Sequence, residues 1–520
     1  MRPVFVCAAV FVACALGSAF GPGAPASARD AAPAHATPYG VTGKNTFKNK
    51  PATSCAAASC HGAGAVGAVG SEHSTWAPEA QFKADSDPHN KAYRVLYNDV
   101  SVKMAAALKI GEAHKADLCL KCHAVPTKTG DDATDAQILA EGVGCSACHG
   151  AAEKWVGQHY TSDWKALTNR EKWDKYGFVP TGNLVARLLN CAQCHVGDAD
   201  RDVNHALYAA GHPRITFEAA KMHNTKGYRK HWEEKTKQPD FEVRVWVVGQ
   251  AATLSAAAEL LRVRAERATA SDFKAEAAFP DRGAWPEFAG YSCYACHQRV
   301  GEVPPASATG VRNELSAANR ALGVPGWEVW SGTGVYVAAD FGSQAYPDLL
   351  SAKWTGKSLT ATRTLQTELG KKFALPPAKV KELAAAAVAE LDAWLVDLQN
   401  ADDARGKPIA PGTAKRLAHE LASKALSADG KLLADHDWDA LASSYLGAAA
   451  MAHASGGADK VNWNGLLEIR GLLAFDKIED EKAGRAKFDS PWKYDTKRID
   501  TLRQRFTDLR AATDPKVGGN

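Results

Sequence analysis

Apolar residues recur at helical spacing in the second half of the chain. Such a stripe, with apolar residues every three or four positions, is what an amphipathic helix buries against a core. The stretches that show it are residues 378–400, 413–426, 437–454 and 495–513. We therefore predict an α-helical domain over residues 301–520, a part of the sequence without cysteine.

A separate apolar run, PVFVCAAVFVACALGSAF, begins the chain behind Arg2. A basic start, a short apolar run and a small-x-small stretch, here APASAR, are typical of a cleaved export signal. The pattern predicts a signal peptide over residues 1–28 and a flexible leader over residues 29–48, which is rich in Ala, Pro and Gly. A retained membrane anchor and a lipoprotein signal ending at Cys14 are the alternatives.

No later stretch of the sequence is long and apolar enough to span a bilayer. We therefore expect no transmembrane segment in the mature chain and an exported protein, either periplasmic or extracellular. The 520 residues carry a net charge of only +4, which is too balanced to indicate nucleic acid as a partner. The sequence leaves the oligomeric state open.

Cysteine and histidine give the strongest signal in the sequence. Cys7 and Cys14 lie in the predicted signal peptide, and the other ten cysteines form five pairs, each followed at once by histidine. The five groups, numbered in chain order, are Cys55/Cys60/His61, Cys119/Cys122/His123, Cys145/Cys148/His149, Cys191/Cys194/His195 and Cys293/Cys296/His297. Groups two to five have the form C-x-x-C-H, the attachment motif of c-type haem.

Haem chemistry explains this pattern. Two thiols three residues apart reach the two vinyl groups of one haem, and the adjacent imidazole binds the iron as the proximal ligand. Disulfides are an alternative in an exported protein, and zinc sites also use C-x-x-C pairs, but neither requires a histidine after every second cysteine. We therefore predict five covalently attached haem c groups.

The first group has four residues between its cysteines instead of two. These residues are three Ala and one Ser, which are small enough to bulge beside a porphyrin face. We interpret the group as a haem site with an enlarged loop. A haem held by Cys60 alone, with Cys55 idle, is the alternative.

All five groups lie within residues 49–300, which we predict to be a pentahaem cytochrome c domain. About one group per fifty residues leaves little protein for each cofactor. This density favours a mainly α fold of short helices and loops around stacked haems, followed by the haem-free α-helical domain.

Each iron needs a second axial ligand, and a second imidazole closes the iron and suits it to electron transfer. His205 and His212 are seven positions apart and can serve two neighbouring haems. His159 follows the third group by ten positions, and His89 stands at a predicted helix start. His114 completes the set of five, with His231 as its competitor.

Three segments resemble the multihaem cytochromes of the cytochrome c-554 type: DPHNKAYRVL, EGVGCSACHGAAEKWVGQH and CAQCHVGDADRDVNHALYAAGHPRITFE. WPEFAGYSCYACHQ fits the same group, so the likeness covers residues 49–300. The resemblance implies closely stacked haems, His89 and His159 as distal ligands, and electron transfer. The family's carrier has four haems, whereas this chain has five groups, and none of the five replaces its histidine with lysine as related nitrite reductases do.

We therefore expect an exported multihaem cytochrome that relays electrons between redox partner proteins, and we favour a carrier over an enzyme. The alternative is a multihaem oxidoreductase that acts on a small nitrogen or sulfur compound at one five-coordinate haem. No nucleophile, general base or non-haem metal site stands out in the sequence, so we name no catalytic residue.

Overall fold

Helix length divides the chain into two parts. The computed structural model describes residues 38–39, 47–63, 68–77, 87–125, 127–224, 238, 240–270, 284–293, 324–345, 359–404, 409, 412–426, 437–455, 463, 465–474, 477–480, 485–488 and 496–516. The predicted signal peptide and most of the predicted leader lie outside these residues, as do His231, Cys296 and His297.

The helices up to residue 223 are short, and most of those from residue 241 onward have twelve residues or more. In chain order they are α1 (Glu72–Trp76), α2 (Asp99–Leu108), α3 (Asp117–His123), α4 (Asp132–Ala140), α5 (Cys145–His149), α6 (Ser162–Ala166), α7 (Asn169–Tyr176), α8 (Leu184–His195), α9 (His205–Ala210), α10 (Ala219–His223), α11 (Phe241–Ala268), α12 (Val329–Ala345), α13 (Thr360–Lys371), α14 (Pro377–Asp403), α15 (Thr413–Lys424), α16 (Trp438–Ser455), α17 (Gly465–Leu473) and α18 (Thr496–Ala512). Single 3₁₀ turns lie at Ala52–Cys55, Pro88–Lys91, Arg94–Tyr97, Ala113–Lys115, Ala152–Lys154 and Phe288–Gly290.

Strands are a minor part of the described structure. β1 (Lys477–Asp480) and β2 (Arg485–Phe488) pair antiparallel, with Lys477 opposite Phe488. The mainly α fold is confirmed, and the four helices predicted in the second half appear as α14, α15, α16 and α18. Within the described part of the chain, no helix is both long and apolar enough to cross a membrane.

The helix α11 lies in the centre of the main hydrophobic core. It is buried along most of its length and around its whole circumference, with Trp246 and Leu254 at 1% and 0% exposure. It packs against α8 on one side and against α12, α14 and α16 on others. This core therefore joins helices from both sides of residue 300. The predicted boundary at residue 300 itself lies outside the described residues, and the domain division stays a prediction.

The C-terminal end of α14 fixes the N-terminus of α8. Asn183 caps α8 by accepting hydrogen bonds from Val185 N and Ala186 N, at 3.0 and 3.3 Å. Its amide nitrogen donates to Gln399 O at 3.0 Å and to Asp403 Oδ1 at 2.8 Å. Because the fourth cysteine–histidine group ends α8, the position of that group depends on contacts with the second half of the chain.

Candidate haem-binding sites

Local helix formation brings the three reactive side chains of a C-x-x-C-H group together. Positions i, i+3 and i+4 of an α-helix lie on one face. The second, third and fourth groups lie on α3, α5 and α8, and each ends its helix with its histidine. Two thiols and an imidazole therefore project from the same side of a helical turn, as thioether attachment to one haem requires.

The first group reaches its arrangement through a turn. The 3₁₀ turn ends at Cys55, and the chain then folds back so that Cys60 N donates to Ala57 O at 2.9 Å and Gly62 N to the same oxygen at 3.1 Å. A Cβ at Gly62 would lie 1.9 Å from Ala56 O, so this close approach needs glycine. The residues between the two thiols thus form a mostly exposed turn.

Three motif histidines face three of the candidate distal histidines. The ring centres are 6.0 Å apart for His61 and His159, and 6.2 Å apart for His195 and His89. His123 and His212 make the third pair, at 6.4 Å. The structure thus brings His159 to the first group, His212 to the second and His89 to the fourth.

The distances between ring centres in these pairs are those expected if one iron binds both imidazoles. With metal–nitrogen bonds of about 2 Å and a ring centre about 1.1 Å behind each nitrogen, the two ring centres lie about 6.2 Å apart. Ordinary aromatic pairs also fall at such distances, so the number alone is not diagnostic. The specific observation is that each pair joins one motif histidine to one distal candidate.

Hydrogen bonds at Nδ1 orient five of these six rings. His123 bonds Ala92 O at 2.9 Å, His159 bonds Val156 O at 2.9 Å, and His212 bonds Pro213 O at 2.7 Å. Because a carbonyl only accepts, Nδ1 carries the proton in these rings and Nε2 keeps a lone pair for a metal. The Nδ1 atoms of His61 and His89 instead bond carboxylates.

Burial keeps three of the six paired rings neutral, which is the form that binds metal. It lowers the pKa of His195 to about 4, and it is the main cause that lowers the pKa of His123 and His212. His89 differs: burial lowers its pKa, but the hydrogen bond with Asp87 raises the pKa above its usual value.

Thiols of different groups also lie close together. A shared hydrogen bond between Cys55 and Cys145 lowers the pKa of Cys55 to about 7, and the same kind of bond between Cys122 and Cys194 lowers the pKa of Cys194 to about 7. The first group is therefore next to the third, and the second is next to the fourth. None of the nine described cysteines of the groups forms a disulfide with another described cysteine.

Side chains between the cysteines connect the groups further. Asn190, just before the fourth group, donates to Ala147 O of the third group at 3.1 Å. Arg201 Nε donates to Lys121 O of the second group at 2.9 Å, and its Nη1 donates to Gln193 Oε1 of the fourth at 3.1 Å. Four groups are thus held in direct contact in the order first, third, fourth, second.

The segment that leads into the fifth group lies beside His205. The backbone N of His205 donates to Glu287 Oε1 at 2.8 Å, and its ring centre is 5.6 Å from that of Phe288. The same segment is fixed to the start of the second half by Ser292 N, which donates to Gly326 O at 2.9 Å. Of the fifth group, only Cys293 is among the described residues.

The remaining predicted site residues are His114 and His149. His114 stacks on Tyr97 with ring centres 4.2 Å apart, and its Nε2 lies 3.9 Å from Glu112 Oε1. His149 stacks on Phe178 at 5.9 Å, and its Nδ1 is 3.4 Å from Thr181 Oγ1. These contacts leave the distal ligand of the third group unassigned.

Sequence reasoning missed the residues that support the groups. Arg201 connects two groups through one hydrogen bond to a backbone oxygen and one to an amide side chain, and nothing in its local sequence indicates this. Glu72 lies eleven positions after His61, with no motif to connect them. Asp87 has a local signal, because Asp before Pro often starts a helical turn, and it does cap the turn that carries His89.

The observed residues fit c-type haem by the chemistry of their donors: paired thiols, one adjacent imidazole and an opposed imidazole. Among the described side chains, no group of three or more His, Cys, Asp and Glu is arranged to hold a bare metal ion.

Residues 73–150 match the family described as cytochrome c554 and c-prime. The matched segment contains the second and third groups together with His89 and His114. No curated protein and no solved structure matched the chain. The predicted resemblance is therefore confirmed over residues 73–150, and its extension to the rest of residues 49–300 stays a prediction.

Proposed function

We propose that this c-type cytochrome, a relative of cytochrome c554 by its residues 73–150, relays electrons through five covalently bound haem c groups outside the cytoplasm. Haem supplies one-electron redox chemistry when it is bound. The observation that carries the proposal is the set of three opposed imidazole pairs, at 6.0–6.4 Å, within a contiguous array of groups. Two imidazoles leave an iron no open position, which suits electron transfer and disfavours substrate binding.

The residues proposed to hold the haems follow from the groups. The thioether cysteines are Cys55, Cys60, Cys119, Cys122, Cys145, Cys148, Cys191, Cys194, Cys293 and Cys296, and the proximal ligands are His61, His123, His149, His195 and His297. As distal ligands we propose His159, His212 and His89 for the first, second and fourth sites. The contact of His205 with Glu287 and Phe288 supports His205 for the fifth site.

For the third site we favour His231 over His114. The His114 ring is stacked on Tyr97, and its Nε2 faces a carboxylate rather than a motif histidine. A His231→Ala variant should then make one iron high-spin in the absorption spectrum while all five haems stay attached. If His114→Ala has that effect and His231→Ala does not, His114 is the ligand.

The contacts between the groups support a relay. Two of the four described links join thiols of different groups, and the other two run from the side chains of Asn190 and Arg201 to residues of neighbouring groups, so the bound cofactors would lie close to one another. The chain's own residues fix these positions through Asn190 and Arg201 and need not take part in any bond-making chemistry. Redox proteins, rather than a nucleic acid or a small substrate, are the partners that such an array serves.

Export completes the proposal. Residues 1–28 have the pattern of a cleaved signal peptide, and covalent attachment keeps a cofactor that a protein outside the cytoplasm could otherwise lose. Protein recovered from the periplasm or medium should begin after Ala28. An N-terminus at Met1 would contradict cleavage, and a lipid-modified Cys14 would contradict this type of signal.

Haem count is tested by the intact mass of protein produced with a cytochrome c maturation system. The expected mass is that of the mature chain plus five haems. A count of five with Cys55 free to alkylation would show that the enlarged loop forms only one thioether. A count of four with both Cys55 and Cys60 alkylated would remove the first site.

The carrier function is tested with carbon monoxide and small substrates. Because both axial positions are filled in the proposed sites, the reduced protein should show little spectral change with carbon monoxide. It should exchange electrons with redox dyes and lack steady turnover of nitrite, hydroxylamine and sulfite. Stoichiometric carbon monoxide binding together with turnover of one of these compounds would replace the carrier proposal with an oxidoreductase.

A further inference from the structure

The hydrogen-bond acceptors at Nδ1 differ among the three opposed imidazole pairs. In the first pair, His61 Nδ1 bonds Glu72 Oε2 at 2.8 Å, and in the fourth-site pair, His89 Nδ1 bonds Asp87 Oδ1 at 2.9 Å. In the second-site pair, both His123 and His212 bond neutral backbone carbonyls. Two sites therefore have a carboxylate behind one axial ligand, and one site has none in that position.

Both carboxylates are held firmly in place. The second oxygen of Glu72 accepts from Gly70 N at 3.0 Å, and Asp87 Oδ1 also accepts from His89 N at 3.0 Å. Their side chains are only 18% and 5% exposed, so solvent screens their charge weakly.

A carboxylate behind an axial imidazole acts on the iron in two ways. It accepts the Nδ1 proton strongly and so makes Nε2 a more basic ligand. It also places a negative charge near the metal, which favours the more positively charged oxidised state. Both effects lower the reduction potential, whereas a backbone carbonyl provides the first only weakly and the second not at all.

We propose that Glu72 and Asp87 are positioning residues that lower the reduction potentials of the first and fourth sites below that of the second. The inference rests on the proposed function, because it requires His61 and His89 to bind iron. It gives the array a direction: an electron at the first or fourth site is drawn toward the second, whose two ligands bond backbone carbonyls.

The test uses Glu72→Gln and Asp87→Asn in the fully matured protein. Each amide keeps an oxygen acceptor but removes the charge, which imitates the carbonyl partners of the second site. Spectroelectrochemical titration should show one potential shifted upward in each variant, a different one in each, and both shifted in the double variant. Electron paramagnetic resonance of the oxidised protein should show altered g-values for one low-spin haem in each single variant.

A matched control separates the specific hydrogen bond from general charge. Glu141 is a half-buried carboxylate close to the first and third groups, but its Oε2 accepts from Ala52 N at 2.7 Å rather than from an axial imidazole. Glu141→Gln should give a smaller potential shift and unchanged g-values. If Glu72→Gln shifts the potential as much as Glu141→Gln does and leaves the g-values unchanged, the effect is one of local charge. That result would overturn the proposed role of the hydrogen bond to the imidazole.

Failure of the inference differs from failure of the proposed function. Unchanged potentials in both variants, with five low-spin haems retained, would overturn the role of Glu72 and Asp87 and leave the relay intact. High-spin irons in the wild-type protein would instead show that the axial ligand assignments themselves are wrong. If Glu72→Gln does not mature, Glu72→Asp replaces it, because aspartate retains the charge with a shorter reach. The potential of the first site should then rise by less than the potential of the fourth site rises in Asp87→Asn. No shift in either variant would also overturn the inference.

Discussion

Gly249 of α11 lies where α10 comes closest, and replacing it with alanine tests how tightly this part of the core is packed. A Cβ added there would lie 2.6 Å from the Cβ of Ala219. Ala219 follows Phe217 by two positions, and Phe217 stacks on His195 with ring centres 5.4 Å apart. A change inside the core is thereby connected to the fourth site.

The magnitude follows from two opposing effects. Alanine in place of glycine within a helix stabilises by about 0.5–1 kcal/mol, because glycine loses more backbone entropy on folding. Overpacking a well-filled core costs about 1–3 kcal/mol. Since Ala219 is fully buried on α10 and can yield only by moving that helix, we expect Gly249→Ala to lower the free energy of unfolding by about 1 kcal/mol.

Gly471→Ala is the matched control. Gly471 lies within α17, and an added Cβ there meets no atom within 4 Å. This variant should therefore gain about 0.5–1 kcal/mol, so the two variants should differ by about 2 kcal/mol.

Urea unfolding of the fully matured protein, followed by circular dichroism, measures this difference. Gly249→Ala should also alter the absorption of one low-spin haem, because α10 moves Phe217 against His195. Equal stabilisation by both substitutions would refute the packing argument. Destabilisation without any spectral change would refute the connection to the fourth site.

Three further predictions concern buried polar groups, each measured by urea unfolding. Burial raises the pKa of Glu218 to about 7, whereas an unfolded glutamate carboxyl titrates at about 4.3, so stability should fall by about 4 kcal/mol as the pH rises between these values. Glu218→Gln should flatten that slope, and an unchanged slope would contradict the prediction. Asp439, 1% exposed, accepts from Arg214 at 2.6 and 2.8 Å, so Asp439→Ala should cost about 3 kcal/mol, and a loss below 1 kcal/mol would show that the pair is not a stabilising contact. Asn183→Ala should cost about 1–2 kcal/mol through loss of the α8 cap, unlike Asn98→Ala at the exposed start of α2, which should cost less.

The sequence predicted the features that depend on residues close to one another in the chain. Haem attachment needs its thiols and proximal histidine within a few residues, so four groups could be predicted from their spacing and the first from the histidine after its second cysteine. The helices of the second half could also be predicted, because each buries a stripe that repeats along its own sequence. The hairpin of β1 and β2 was not predicted, since eight residues in two short strands leave little periodic signal.

Tertiary contacts account for what the sequence left open. His159 and His212 were named as candidates, but their pairing with His61 and His123 depends on how distant segments pack. The role of Arg201 depends on a backbone oxygen within the second group, which no side-chain pattern reveals. The contact of α11 with α14 likewise joins the two halves through apolar faces, and such faces do not specify their partners in sequence.

The end of α14 holds Asn183, the cap of α8, and this has a consequence for the order of events as the protein is made. The hydrogen bonds of Asn183 with Gln399 and Asp403 connect positions separated by 216 and 220 residues. If the chain is exported as proposed, it emerges from its N-terminus, so the fourth cysteine–histidine group would cross the membrane well before the residues of α14 that hold its helix. That interval would leave the thiols of Cys191 and Cys194 accessible for haem attachment. The helix start would then become fixed only after residues 399–403 have also crossed.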